Sequence, residues 1–233
     1  MGQTREPLKP IIKISYLLII ALLLLTIVEG SAVIAGVWRV IAYSLLPANV
    51  AIEETSVMAD VVYRFLTVSQ SYLSLAVPFV FATWLYRMSF NLHQQTSTKM
   101  EFTPGWMIGW YFVPFANLVK PFHGMRELWQ VSHKRLNADP SILRWWWGLW
   151  LVSRFVGESS GQLAGGTSPV QSIINSTLVY IAFDLLNVAL DLVALRIVTS
   201  IWDAYEKNYI AIEDPEVTIQ ELKDLEKDRI SNR

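Results

Sequence analysis

The chain has 233 residues, of which 53% are hydrophobic, 12% aromatic and only 17% charged, with a net charge of −1. A soluble domain carries about a quarter charged residues, and here the shortfall leaves long uncharged runs upstream of a polar C-terminal stretch, which is a bilayer signature. The absence of cysteine excludes disulfides, thiolate nucleophiles and Cys-ligated zinc or iron–sulfur centres, and three histidines (His93, His123 and His133) are too few for a His-rich di-metal site.

Arg5, Lys9 and Lys13 precede an apolar run that is too long for a signal-peptide core and lacks a clear small-residue cleavage site. A retained signal anchor is expected, with a first span over residues 14–38 in which Gly30, Ser31, Ala32, Ala35 and Gly36 suit close helix contact. Glu29, towards the far end of this span, reads as an interfacial carboxylate. Residues 39–66 read as a connection holding Arg39, Asp60 and Arg64, and residues 67–87 as the second span. Pro78 is expected to kink that span, with Gln70, Ser71 and Ser74 serving freed backbone groups or neighbouring helices.

The central stretch, 102–133, is rich in Trp, Gly and Pro. From Pro104 to Val119 it is too short for a simple span and is broken at Gly105, Gly109 and Pro114. Beyond Asn117 it turns amphipathic: Leu118, Phe122, Met125 and Trp129 recur at helical spacing, and Lys120, Arg126, Glu127, Gln130 and Lys134 take the other faces. This pattern predicts a kinked re-entrant or interfacial element. Lys120, Arg126, Lys134 and Arg135 would contact anionic lipid headgroups.

A third, weaker span is expected over 143–162, with Trp145, Trp146, Trp147 and Trp150 as an interfacial belt and Arg154 deep inside. An arginine at that depth needs a partner. Gly165, Gly166 and Pro169 make a turn before a last span over 172–200, and residues 203–233 form a polar cytoplasmic tail, with a short helix expected after Pro215. In the last span Thr177, Tyr180, Asp184, Asn187 and Asp191 step by three or four and so share one helix face. Carboxylates near mid-membrane must meet a partner, a proton or a water-filled path. The expectation is that Arg154 pairs with Asp184, and that Asp191 meets Lys120, Arg126 or Arg144. Arg154, Tyr180, Asp184, Asn187 and Asp191 thus form a candidate intramembrane polar site.

The fold expected is an all-α integral membrane protein of four spans plus the central element, the alternative being five spans. Four spans place the basic residues of the middle region on the same side as the N-terminus and the C-terminus, which the positive-inside preference favours as cytoplasmic. No phosphate-binding glycine loop, serine-hydrolase elbow or zinc-protease motif is present, and no nucleophile–base pair stands out. His123 and His133, ten apart, do not share a helix face as metal ligands would. No metal and no cofactor is therefore expected. The basic residues adjoin membrane segments, which points to lipid rather than nucleic acid.

Within the central stretch, Phe102-Thr103-Pro104-Gly105-Trp106, Gly109-Trp110, Val113-Pro114, Asn117-Leu118, Pro121-Phe122, Met125 and Glu127 through Trp129 resemble the bacterial membrane family of domain of unknown function 4328. Pro104, Gly105, Trp106, Gly109, Trp110, Pro114, Asn117, Pro121 and Trp129 make up its central motif here. The resemblance covers about thirty residues and implies a bacterial multi-span membrane protein, which would lie in the inner membrane. It implies no activity. From the residues themselves the leading expectation is a non-enzymatic membrane scaffold, binding or sensing protein. It would act through lipids, a membrane protein partner or a second copy of the chain. The alternative is a small transporter or channel subunit with a proton or cation path along the last span.

Overall fold

The computed structural model describes residues 7–45, 58–96, 99–134, 141–163 and 168–210, with side chains in 157–163 excepted. These residues form helices α1 (Ile12–Ser44), α2 (Met58–Gln95), α3 (Pro104–Gly109), α4 (Lys120–Ser132), α5 (Ser141–Leu163) and α6 (Pro169–Tyr205), and no strand occurs among them. Short 3-10 turns at Trp110–Phe112 and Ala116–Leu118 join α3 to α4, and a π-turn at Glu206–Ile210 follows α6.

Among the described residues, three helices are long and apolar enough to cross a membrane: α1, α2, and α6 with its π-turn. Each exceeds the roughly 20 residues that cover the hydrocarbon, at 33, 38 and 42 residues. The connection expected over 39–66 is correspondingly shorter, because α1 continues to Ser44 and α2 begins at Met58. Arg39, Asp60 and Arg64 therefore sit on helices. The segment expected over 143–162 forms the 23-residue α5, and Arg144, Arg154 and Glu158 dilute its apolar character. Pro169 opens α6 at a position where its missing N–H costs nothing, and Ser168 Oγ accepts from Gln171 N at 3.2 Å. Gly165, Gly166, Arg135 and the 215–229 segment lie outside the described residues.

The chain divides into two compact units, one of residues 11–84 with 141–197, the other of 1–10, 85–140 and 198–233. In the first unit, Gly36 lets α1 approach α6 closely: a Cβ there would stand 2.8 Å from Ile181 Cγ1 and 3.4 Å from the Tyr63 ring. Trp84, fully buried on α2, donates its indole N–H to Ser15 Oγ on α1 at 3.1 Å. The tryptophans of α5 do not act as one belt. Trp146 and Trp147 are buried, with Trp146 against Phe81 and Trp147 stacked on Trp150, while Trp145 is exposed.

In the second unit, Asn91 clasps the N-terminal segment through both its amide atoms. Its Oδ1 accepts from Lys9 N at 2.8 Å and its Nδ2 donates to Lys9 O at 2.9 Å. Lys9 Nζ lies over the Tyr86 and Phe90 rings. The polar tail expected from residue 203 is helical and packed in its first part. Tyr205 donates to Gln95 Oε1 at 2.7 Å, Tyr209 to Val131 O at 2.8 Å and Asn208 Nδ2 to Ser132 O at 3.0 Å. These aromatic residues follow the α6 face that holds Ile197, Val198, Ile201 and Trp202, which extends the helix past its apolar run.

Candidate functional site

The polar stripe of α6 is distributed among partners on α1 and α2. At its start, the Thr177 hydroxyl accepts from Arg39 Nη1 at 2.8 Å, and Arg39 Nε also lies 2.6 Å from Asp60 Oδ1. Midway, Asp184 accepts from Gln70 Nε2 at 2.8 Å. Further along, Asp191 lines the same cavity as Glu29 of α1. Glu29 is 4% exposed and Asp191 8%, and Glu29 Oε2 and Asp191 Oδ2 are shielded from solvent with no hydrogen-bond partner among the described residues.

Two expectations are corrected here. Asp184 is not paired with Arg154: its partner is an amide on α2, and the ion pairs among the described residues join Asp60 to Arg39 and Arg64. Arg154 is exposed on α5, where water or headgroups satisfy a guanidinium better than a buried contact does. Asp191 has no basic side chain within ion-pair distance among the described residues, and it lines the same cavity as Glu29.

Arg154, Tyr180, Asp184, Asn187 and Asp191 nevertheless line one cavity of about 830 Å³, together with Glu29. Gln70, Ser71 and Ser74 of α2 also reach it, the two serines donating to backbone carbonyls of their own helix. Apolar and aromatic walls come from Leu25, Tyr63, Val77, Trp150 and Phe183. A cavity of this size matches small-molecule sites, which fall near 300–1,000 Å³. No group of three or more His, Asp or Glu side chains suited to a metal ion occurs among the described residues.

The central motif makes a second candidate surface. Thr103 Oγ1 accepts from Trp106 N at 3.5 Å to start α3, with Pro104 in the first turn. Glu127 of α4 accepts from the backbone N–H groups of Glu101 and Phe102, fixing the entry to the motif. Trp106 stacks near Trp110, and Trp129 on His133. Phe115 sits at φ 61°, and Ala116 N closes a tight turn onto Pro114 O at 2.7 Å. That left-handed conformation strains a bulky residue. Phe115 is 86% exposed, and Phe112 of the preceding 3-10 turn is 81% exposed.

The apolar face expected along Leu118, Phe122, Met125 and Trp129 is rotated. The residues buried on α4 are Pro121, Gly124, Met125, Leu128, Val131 and Ser132. Leu118 belongs to a 3-10 turn and is exposed, and Gly124 forms part of the seam because Met107 Sδ lies 2.9 Å from the place its Cβ would take. Among the basic residues, Arg126 is exposed, whereas Lys120 lies over the Phe102 and Trp110 rings. Lys134 donates to Asn208 O at 2.7 Å and covers the Tyr209 ring.

Among the described residues, helices without strands, three of them long and apolar enough to span a bilayer, together with a motif of short broken helices, point to the class of polytopic membrane proteins. The family model described as Domain of unknown function (DUF4328) matches residues 49–203, and the chain belongs to that family. No curated protein and no solved structure matches the chain.

Proposed function

We propose that the chain is a non-enzymatic bacterial inner-membrane protein that docks its central element into one leaflet and acts there as a lipid-contacting scaffold or sensing module. The observation that carries this reading is the strained turn at Phe115. Phe115 and Phe112 stand largely exposed, and Trp106, Leu118 and Val119 of the same motif are about half exposed. An apolar tip of this kind is unfavourable in water and favourable in acyl chains. In this reading α5 is a fourth crossing, Arg126 faces headgroups, and both termini are cytoplasmic, as the positive-inside preference favours. The chain lacks cysteine, so single nitroxide labels at 112, 115 and 126 need no background removal. In nanodiscs, labels at 112 and 115 relax with oxygen and the label at 126 with a water-soluble nickel reagent. Equal access of the nickel reagent to all three contradicts the docking.

A transport role draws on a different observation, the polar cavity lined by α5 and by helices long and apolar enough to span a bilayer. It predicts proton or cation flux in liposomes that disappears in Asp184→Asn while the protein remains folded.

A further inference from the structure

Within the unit of residues 11–84 and 141–197, α2 carries two contrasting faces. Every seventh residue from Tyr63 turns towards the chain's own helices: Tyr63, Val77 and Trp84 are buried, and Gln70 donates to Asp184 of α6. The exposed large apolar side chains of α2 are Met58, Val61, Phe65, Val68, Tyr72, Leu75 and Phe79, each between 54% and 73% exposed. Their steps alternate strictly between three and four residues from Met58 to Phe79, the 3.5-residue period of a helix–helix seam. A face that meets only lipid needs no such period. On α1 the exposed apolar residues come in adjacent pairs, Tyr16 with Leu17, Leu23 with Leu24 and Val37 with Trp38, which spreads them over a wide arc. On α2 the seam is instead flanked by small or polar residues, Ser69, Ala76 and Thr83 on one side and Ser71 and Pro78 on the other. Short flanking side chains let two backbones approach closely, and hydroxyl groups suit bare hydrocarbon poorly. Of the three helices long and apolar enough to span a bilayer, α2 is the least apolar, with a mean hydropathy of 1.5 against 2.6 and 2.0, and the least covered by its own chain.

We propose that this seam docks against the same seam of a second copy of the chain, as a parallel pair of α2 helices. Two copies with one topology in one membrane run their α2 helices in the same direction, so the patch is self-complementary about a two-fold axis. Each seam residue then meets its own counterpart. Phe65, Tyr72 and Phe79 form aromatic layers, and Val61, Val68 and Leu75 form the layers between them. In that packing Ser71 of the second copy stands beside Tyr72 and accepts its phenol O–H, a donor that hydrocarbon would leave without an acceptor. The area suffices as well. Three aromatic rings of about 150–250 Å² each, roughly seven-tenths exposed, and four further apolar side chains give about 800 Å² per copy, which is what a stable complex buries on each partner. A different protein with a matching seam is the competing occupant, and the unbroken, self-complementary repeat favours a second copy over it. The pairing uses no residue of the central motif and is independent of leaflet docking.

The test is cross-linking of the purified full chain in liposomes at high lipid excess. The chain lacks cysteine, so Phe65→Cys, Val68→Cys, Tyr72→Cys and Leu75→Cys report on the seam one at a time, and Leu24→Cys on the exposed arc of α1 serves as the control. We expect disulfide-linked dimers from the four seam variants on mild oxidation and none from the control. Light scattering of the wild type in mild detergent is expected to give the mass of two copies. Phe65→Ala/Phe79→Ala, changed only on a face the chain itself leaves exposed, is expected to stay folded and to raise the dimer dissociation constant by at least about tenfold. The proposal is overturned by a folded wild type that stays monomeric, by seam variants that do not cross-link or cross-link no better than the control, or by a dimer that the double variant leaves unchanged. The single-cysteine chains and the wild-type mass decide the matter even if the double variant does not fold.

Discussion

The two compact units differ in the buried polar groups they leave incomplete. In the unit of 85–140 and 198–210, polar side chains close on near neighbours: Asn91 on Lys9, Glu127 on the 101–102 backbone, Tyr205 on Gln95 and Tyr209 on Val131, with the Ser89 hydroxyl as an exception. In the unit of 11–84 and 141–197, Glu29, Asp191 and the Tyr63 hydroxyl each have a shielded oxygen with no partner among the described residues, beside a cavity. Satisfied networks rigidify, whereas buried groups left incomplete mark places where a ligand or a proton completes them. One unit therefore reads as structure and the other as a site.

The comparison breaks most readily at the helix contact that shapes the cavity. Gly36→Val puts side-chain atoms into space taken by Ile181 and is expected to cost about 2–3 kcal/mol by overpacking, read as a lower melting temperature in detergent. An unchanged melting temperature means α1 and α6 are not held this close. Asn91→Ala removes both bonds to Lys9 and is expected to cost about 2 kcal/mol, with faster proteolysis near residue 9. Ser15→Ala leaves the buried Trp84 N–H without its acceptor, for a loss of about 1 kcal/mol. Phe115→Gly has the smallest effect and the opposite sign. Release of the left-handed strain gains about 1 kcal/mol, while docking of the tip in the leaflet weakens. A loss of stability in that variant means Phe115 is held by packing rather than placed outward at a cost.

The α6 stripe was legible because a spacing of three and four is a property of one helix. Its partners were not. Gln70 and Glu29 meet it only through tertiary packing, and a lone Arg154 at matching depth made a plausible but incorrect mate for Asp184. Glu29 was underestimated because it stands alone in its span, with no periodic companion to flag it. The central motif was visible from its Pro and Gly breaks. The face that α4 buries was missed because the 3-10 turn at Ala116–Leu118 resets the helical phase before Lys120. The extension of α6 to Tyr205 was missed because apolar length marks where a membrane ends, not where a helix does. The tryptophans of α5 carried a similar ambiguity, since a ring that suits an interface also suits a core.

The account rests on α1 and α6 standing close together with the polar lining of the cavity between them and α2, and cross-linking in nanodiscs tests it directly. In a Gly36→Cys/Ile181→Cys variant of this cysteine-free chain the account predicts an intramolecular disulfide on mild oxidation, because a Cβ at position 36 would stand 2.8 Å from Ile181 Cγ1. A folded variant that stays reduced contradicts it.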